Sequence, residues 1–265
     1  MRALRLLGMG LGRTCADLIW PPRSLLSQNR VSCAGTMEYD LWRALDFLYA
    51  PGCNRCGMPI VEATSPDIQC PACIADPPVY NRARAALAYD DLSKPLVLNL
   101  KHGARKDGLR AYASWMLEAA PFVLEADQIV PIPLHWTRLW QRGYNQAAWL
   151  ASSLAARSGG RYQPMLLHRH RRTPSQNGLS AGGRKRNVAG AFKVTERLDG
   201  QAILLVDDVM TTGATFNACA AALRKAGAAL VDCVALARVV RPTAIEVPTP
   251  RLSRQLSIGA GVVDD

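Results

Sequence analysis

Two groups of residues in this sequence have the types and spacing needed for chemistry. The first is Asp207-Asp208-Val-Met-Thr211-Thr212-Gly213-Ala214-Thr215, which follows the apolar run 202–206 and precedes an Ala-rich stretch. Read in order, this is a buried strand, a pair of carboxylates at its carboxyl end, and a hydroxyl-rich turn into a helix. Open parallel sheets bind ligands at that end. Backbone N–H groups and Thr hydroxyls of such a turn can surround a phosphate, and Gly213 permits close backbone approach. Carboxylates beside a phosphate repel it unless sugar hydroxyls donate to them or Mg²⁺ bridges the two. The pattern therefore calls for a phosphorylated sugar together with Mg²⁺. The competing reading is a solvent-facing Asp-Asp pair with an N-capping Thr. No G-x-x-x-x-G-K-[ST] loop is present, which argues against a nucleotide triphosphatase.

The second group is Cys53-Asn-Arg-Cys56-Gly57 with Cys70-Pro-Ala-Cys73. Two C-x-x-C pairs at this separation predict a structural Zn²⁺ site of four thiolates, closed to substrate. Zinc would stabilise a segment too short for a core of its own. Redox dithiols and unmetallated cysteines are the competing readings. Upstream, Ser24-x-x-Ser27 and Cys33-x-x-Thr36 repeat the spacing with hydroxyls in place of most thiols. Hydroxyls are poor zinc ligands, so this reads as a decayed knuckle. Cys15, Cys219 and Cys233 read as small buried residues.

The charge balance agrees with an anionic partner. The 265 residues include 32 Lys or Arg against 21 Asp or Glu, a formal net charge of +11. The excess lies between Gln128 and Thr195, which hold eleven basic residues and no Asp or Glu. Charge alone does not choose between nucleic acid and a phosphorylated small molecule. With 49% hydrophobic and 20% charged residues, the composition excludes a mainly disordered or collagen-like chain. No apolar run is long enough to cross a membrane. The basic N-terminal stretch is cut by Gly8, Gly10, Gly12 and Arg13, so it does not read as a secretory signal. The cysteines are too sparse for a disulfide scaffold, and the expected location is the cytoplasm.

These residues need a scaffold. Strands are predicted over 128–133, 202–206 and 230–237, and helices over 42–47, 145–157 and 215–226. Asn145 is the expected cap of one helix and Gly227 ends another. Strand–helix alternation predicts an α/β fold, a parallel sheet flanked by helices, with a small N-terminal four-cysteine zinc-binding module. The expected organisation is an N-terminal extension over 1–48, the zinc module over 49–80, the α/β domain over 81–240 and a flexible tail over 241–265.

The segment Val206–Thr215 resembles the phosphoribosyl-diphosphate signature of type I phosphoribosyltransferases. CNRCG at Cys53, CPAC at Cys70, LKHG at Leu100, IVPIPLH at Ile129, RGYNQA at Arg142, RTPSQ at Arg172 and RKRNVAGAF at Arg184 extend the likeness. Together they resemble the ComF-type (competence protein F, or GntX-like) family. The resemblance implies that Asp207 and Asp208 contact ribose hydroxyls and that residues 211–215, Thr211, Thr212, Gly213, Ala214 and Thr215, hold the 5′-phosphate. It implies a diphosphate loop between Pro133 and Asn145, with Arg138 and Arg142 as its cations. It also implies a basic hood over 169–186 that carries Arg172 and Arg184; Gln176 and Asn187 match family positions without an assigned role. His102 and His135 adjoin these loops.

The implied reaction is a glycosyl transfer. A nitrogen nucleophile displaces diphosphate from ribose C1, and catalysis rests on position and electrostatics. No glutaminase module is recognisable, so amination would draw on free ammonia or a partner. The alternative is a non-catalytic accessory factor in DNA uptake and natural competence. It would use the fold as a nucleotide sensor or scaffold, with the DNA-uptake machinery or single-stranded DNA as partner. A sequence-specific zinc-finger reader is disfavoured, since residues 53–73 carry only Arg55 as a cation.

Overall fold

The computed structural model describes residues 21–27, 29–49, 51–60, 65, 67–102, 105–171 and 190–240. The chain runs through α1 (Tyr39–Ala44), α2 (Pro71–Ala75), β1 (Ala83–Ala88), α3 (Lys94–His102) and α4 (Leu109–Ala119), then a 3₁₀ turn at Pro121–Glu125. It continues through β2 (Gln128–Pro131), α5 (Trp136–Arg142), α6 (Gln146–Ser158), β3 (Arg161–Tyr162), β4 (Leu167–Arg169) and β5 (Phe192–Val194). The last elements are β6 (Ala202–Met210), α7 (Ala214–Lys225) and β7 (Leu230–Arg238). Cys15, the hood residues Arg172, Gln176, Arg184 and Asn187, and the expected tail lie outside the described residues.

Five strands form one parallel sheet in the order β1-β7-β6-β2-β3, and β4 and β5 form a separate antiparallel pair. Helices cover the large sheet on both faces, so the α/β architecture expected from the sequence is present. Alternation along β6 divides the core. Ile203 and Leu205 pack with Phe216, Cys219 and Leu223 of α7. Leu204 and Val206 pack with Leu100 of α3, Met116 of α4 and Leu150 of α6. Buried on both faces, such a strand reads as a continuous apolar run. Cys219 and Cys233 are fully buried in the α7 layer.

Strand β6 runs further than the apolar run suggests. Its pairing with β7 continues through Asp207↔Ala235 and Val209↔Ala237 to Met210↔Arg238. The two carboxylates therefore sit inside the strand, not beyond its end. Helix α1 also lies earlier than expected, because Phe47 leaves it to bridge Leu87 of β1. At the end of α7, Gly227 (φ +108°) passes so close to the Leu198 carbonyl that a Cβ would collide with it. No described helix is long and apolar enough to cross a membrane.

Asn145 secures the entry to α6 from both sides. Its side chain accepts from the Ala147 N–H at 3.1 Å and donates through Nδ2 to the Ile132 carbonyl at 3.1 Å, tying the helix to the end of β2. Replacing Asn145 with Ala is expected to cost about 1 kcal/mol. Urea unfolding should show this as a lower midpoint at unchanged slope.

Candidate functional site

The carboxyl ends of β2 and β6 open into a cleft of about 540 Å³, lined by Lys101, Arg138, Arg142, Arg169, Asp207 and Asp208 with the turn that enters α7. Adjacent residues of a strand face opposite ways, so Asp207 follows Leu205 toward the α7 side and Asp208 follows Val206 toward α3. There Lys101 places its Nζ 2.8 Å from Asp208 Oδ2. The Asp208 N–H also donates to Asp207 Oδ1 at 2.8 Å. Dense packing around its carboxyl pushes the Asp207 pKa well up; Asp208 beside it adds to the shift and Lys101 opposes it. The carboxylate oxygens form a hard donor set of the kind Mg²⁺ accepts.

The turn after β6 is shaped for close approach. Gly213 has φ +75° and precedes the first residue of α7. A Cβ there would lie 2.9 Å from Met210 Cε and 3.0 Å from the Tyr80 hydroxyl. The first turn of α7 stands at the wall of the cleft, where the positive end of a helix favours an anion. Thr211, Gly213, Ala214 and Thr215 line the cleft. Thr212 does not: its buried hydroxyl has no hydrogen-bond partner among the described residues, and it lines a second cavity against the cysteine module.

Cations face the carboxylates. Arg138 and Arg142 lie on α5 and Arg169 ends β4; burial and then Arg138 push the Arg169 pKa down, while Asp207 opposes the shift. Four cationic side chains against two carboxylates give the cleft a positive balance, which suits an anion. His135 does not line the cleft; its Nδ1 accepts from the Thr137 N–H and caps α5. Lys101 is a site residue that sequence reasoning missed, although the LKHG motif contains it. The available signal is the facing rule: the second carboxylate of a doubly buried strand needs a cation from the helix on its own side.

The cysteine quartet is assembled. Cys53, Cys56, Cys70 and Cys73 are buried, and their Sγ atoms lie within 4.8 Å of one another. The Cys56 N–H points at Cys53 Sγ, and the Cys53 N–H donates to the Met58 carbonyl, closing the first knuckle. Burial opposes ionisation of Cys53, but the backbone groups of Cys56, Cys70 and Arg55 bring its pKa to about 7. Four convergent sulfurs with N–H···S support fit a tetrahedral metal ion.

The upstream hairpin has the same hydrogen bonds with oxygen. The Ser24 N–H donates to the Asn29 carbonyl, and the Ser27 N–H to Ser24 Oγ. Both Ser hydroxyls donate to the Glu38 carboxylate at 2.5 Å and hold its pKa down to about 2. Thr36 turns its hydroxyl to the Cys33 carbonyl, and Cys33 is exposed.

Comparison with known proteins identifies the chain's relatives. The family model described as Phosphoribosyl transferase domain matches residues 146–248. DNA utilization protein YhgH of Salmonella typhimurium is 34% identical over 194 residues, covering 71% of this chain and 84% of that protein. DNA utilization protein YhgH of Escherichia coli K12 is 33% identical over 197 residues, with 71% and 84% covered. Competence protein F of Haemophilus influenzae is 36% identical over 115 residues, covering 42% of this chain and 50% of its own.

The adjacent aspartates should respond oppositely to neutralisation. A raised pKa means the native state binds the Asp207 proton more tightly than the unfolded chain does. Stability then falls as pH rises from the ordinary Asp value through the raised one. Asp207→Asn is therefore expected to raise the melting temperature of the ligand-free protein at pH 7–8, with the gain vanishing near pH 4. Asp208→Asn strands Lys101 and is expected to lower it; thermal melts across pH check both signs. At the quartet, elemental analysis should find about one zinc per chain. Cys56→Ser should lose it and lower the melting temperature by more than about 5 °C.

Proposed function

Since this chain belongs to the ComF-type (competence protein F) family of the phosphoribosyl transferase superfamily, we propose that its cleft binds phosphoribosyl diphosphate, or a closely related phosphorylated ribose, and that this binding serves DNA uptake and utilisation. One observation carries the ligand assignment: two strand-borne carboxylates stand between a helix N-terminus and a set of arginines. Asp207 and Asp208 accept hydrogen bonds from the ribose hydroxyls. Thr211, Gly213, Ala214 and Thr215 hold the 5′-phosphate, and Thr212 supports the turn from behind. Arg138, Arg142 and Arg169 take the diphosphate, with Arg172 and Arg184 joining from the hood. Guanidinium forks suit phosphate oxygens. Bound Mg²⁺, held by the aspartates and the ligand, would neutralise diphosphate charge.

The relatives named for DNA utilization and competence favour the accessory reading. So does α5, where Trp136 is 68% and Trp140 86% exposed, flanking Arg138. Exposed indoles interleaved with arginine are a surface on which bases of single-stranded DNA stack. A protein of this kind works in the cytoplasm, where thiolates stay reduced.

The second reading is turnover: displacement of diphosphate from ribose C1 by a nitrogen nucleophile. It is favoured by the arginines, which stand where leaving-group charge would grow. Under this reading, removing Arg138 or Arg142 costs about 2–4 kcal/mol in the transition state.

Calorimetry with phosphoribosyl diphosphate and Mg²⁺ is expected to show binding, abolished in the Asp207→Asn, Asp208→Asn double variant. No heat with the unaltered protein would sink the ligand assignment. Diphosphate release in the presence of pooled bases, ammonia and amines would select turnover over the accessory role. Single-stranded DNA binding that weakens with salt, survives the double Asp change and loses about 1–3 kcal/mol on Trp140→Ala would select the accessory role.

A further inference from the structure

The cysteine module meets the sheet along β1 and β7, and each strand contributes one arginine to the contact. Arg238, the last residue of β7, is 2% exposed and donates through Nη1 to the Cys56 carbonyl. Its Nε has no hydrogen-bond partner among the described residues. Arg84, half-buried in β1, donates through Nη1 to the carbonyls of Cys53, Asn54 and Ala83 at 3.4, 3.1 and 2.9 Å. Among the described residues, neither makes an ion pair with a carboxylate. Burial pushes the Arg84 pKa down, and Cys53 and Cys56 oppose that shift more than Asp232 does. The Asp232 carboxylate is itself paired with Arg82 at 2.6 Å.

Cations withdrawn from water need an opposite charge nearby, or they destabilise the fold. Among the described residues, no acidic side chain is paired with either arginine. The quartet supplies the charge once it holds a divalent ion: four thiolates and a 2+ ion carry a net charge of 2−, equal and opposite to the two guanidinium groups. The arginines bond backbone carbonyls, those of Cys53 and Cys56 among them, and not sulfur, so every thiolate stays available to the metal.

We propose that Arg84 and Arg238 are the counter-ions of a dianionic four-thiolate metal centre, so that metal loading and docking of the module on the sheet are one linked equilibrium. The inference rests on the assignment of the quartet as a metal site. It also gives that site a route to the cleft. Arg238 pairs with Met210 in the ladder, and the Val239 N–H donates to the Met210 carbonyl. The ligand turn starts from Met210. The Val79 N–H donates to Asn217 Oδ1 on α7, and Tyr80 stands against Gly213. The metal module is thus the rear support of the turn, not a detachable finger.

The test uses the zinc-loaded full chain and competition with a chromophoric chelator. Arg238→Met and Arg84→Met are each expected to weaken zinc binding about 10–100-fold, and Arg238→Lys, which keeps the charge, to retain most of it. After zinc is stripped the order of stability should invert. The Met variants then melt at or above the unaltered protein, because an uncompensated cation has been removed. Unchanged zinc affinity, or an equal loss of stability with and without zinc, would overturn the proposal and reduce the arginines to loop braces. If Arg238→Met does not fold, the less buried Arg84→Met decides on the same two readouts. Failure of the unaltered protein to bind zinc would instead overturn the metal assignment beneath it.

Discussion

Two neighbouring carboxylates on a strand buried from both sides must each meet positive charge on a different face. Most of the site follows from that demand. Asp208 faces the α3 layer and is answered by Lys101 at 2.8 Å. Asp207 faces the α7 layer and has Arg169 and the helix N-terminus within its field. The extra length of β6 carries the pair into the ladder with β7, which fixes their spacing and directions. A strand ending at Val206 would leave both carboxylates on a loop, free to turn into solvent. The raised pKa of Asp207 is the cost of that placement, and sites that hold charge ready for a ligand generally sacrifice stability in this way.

Much of this was legible in the sequence. The runs at 128–133, 202–206 and 230–237 marked β2, β6 and β7, because parallel strands buried on both faces need no polar alternation, whereas β1, β3 and the β4–β5 pair were not marked. Asn145 and Gly227 marked helix boundaries through cap chemistry that is local to the chain. The site residues on contiguous motifs, Asp207, Asp208, Gly213 and the cysteines, could be placed for the same reason. Lys101 could not be singled out that way: its partner is more than a hundred residues away in sequence, and only the facing of β6 joins them. Thr212 looked equivalent to Thr211 as one of a hydroxyl run, but the turn sends its side chain to the opposite side. His135 sat in the right loop for a ligand contact, and the demand of a helix start took its imidazole instead.

The two N-terminal knuckles show one backbone turn stabilised by different chemistry. At Cys53 and Cys56 the turn gathers sulfurs. At Ser24 and Ser27 the corresponding hydroxyls converge on the Glu38 carboxylate, and an ordinary hydrogen-bond cluster closes the loop. Under the proposal above, the first when metal-loaded needs buried cations to balance its charge, whereas the second leaves its carboxylate in water and needs none. Arg84 and Arg238 lie under the cysteine module and bond its backbone carbonyls.

In the proposed reading, the cleft is a phosphoribosyl diphosphate site organised by the two carboxylates of β6. A crystal structure of the protein with phosphoribosyl diphosphate and Mg²⁺ decides this. Ribose hydroxyls are expected on Asp207 and Asp208, the 5′-phosphate against the Thr211–Thr215 turn, and the diphosphate toward Arg138 and Arg142. A ligand bound elsewhere, or seated in the cleft with its ribose away from the aspartates, would contradict it.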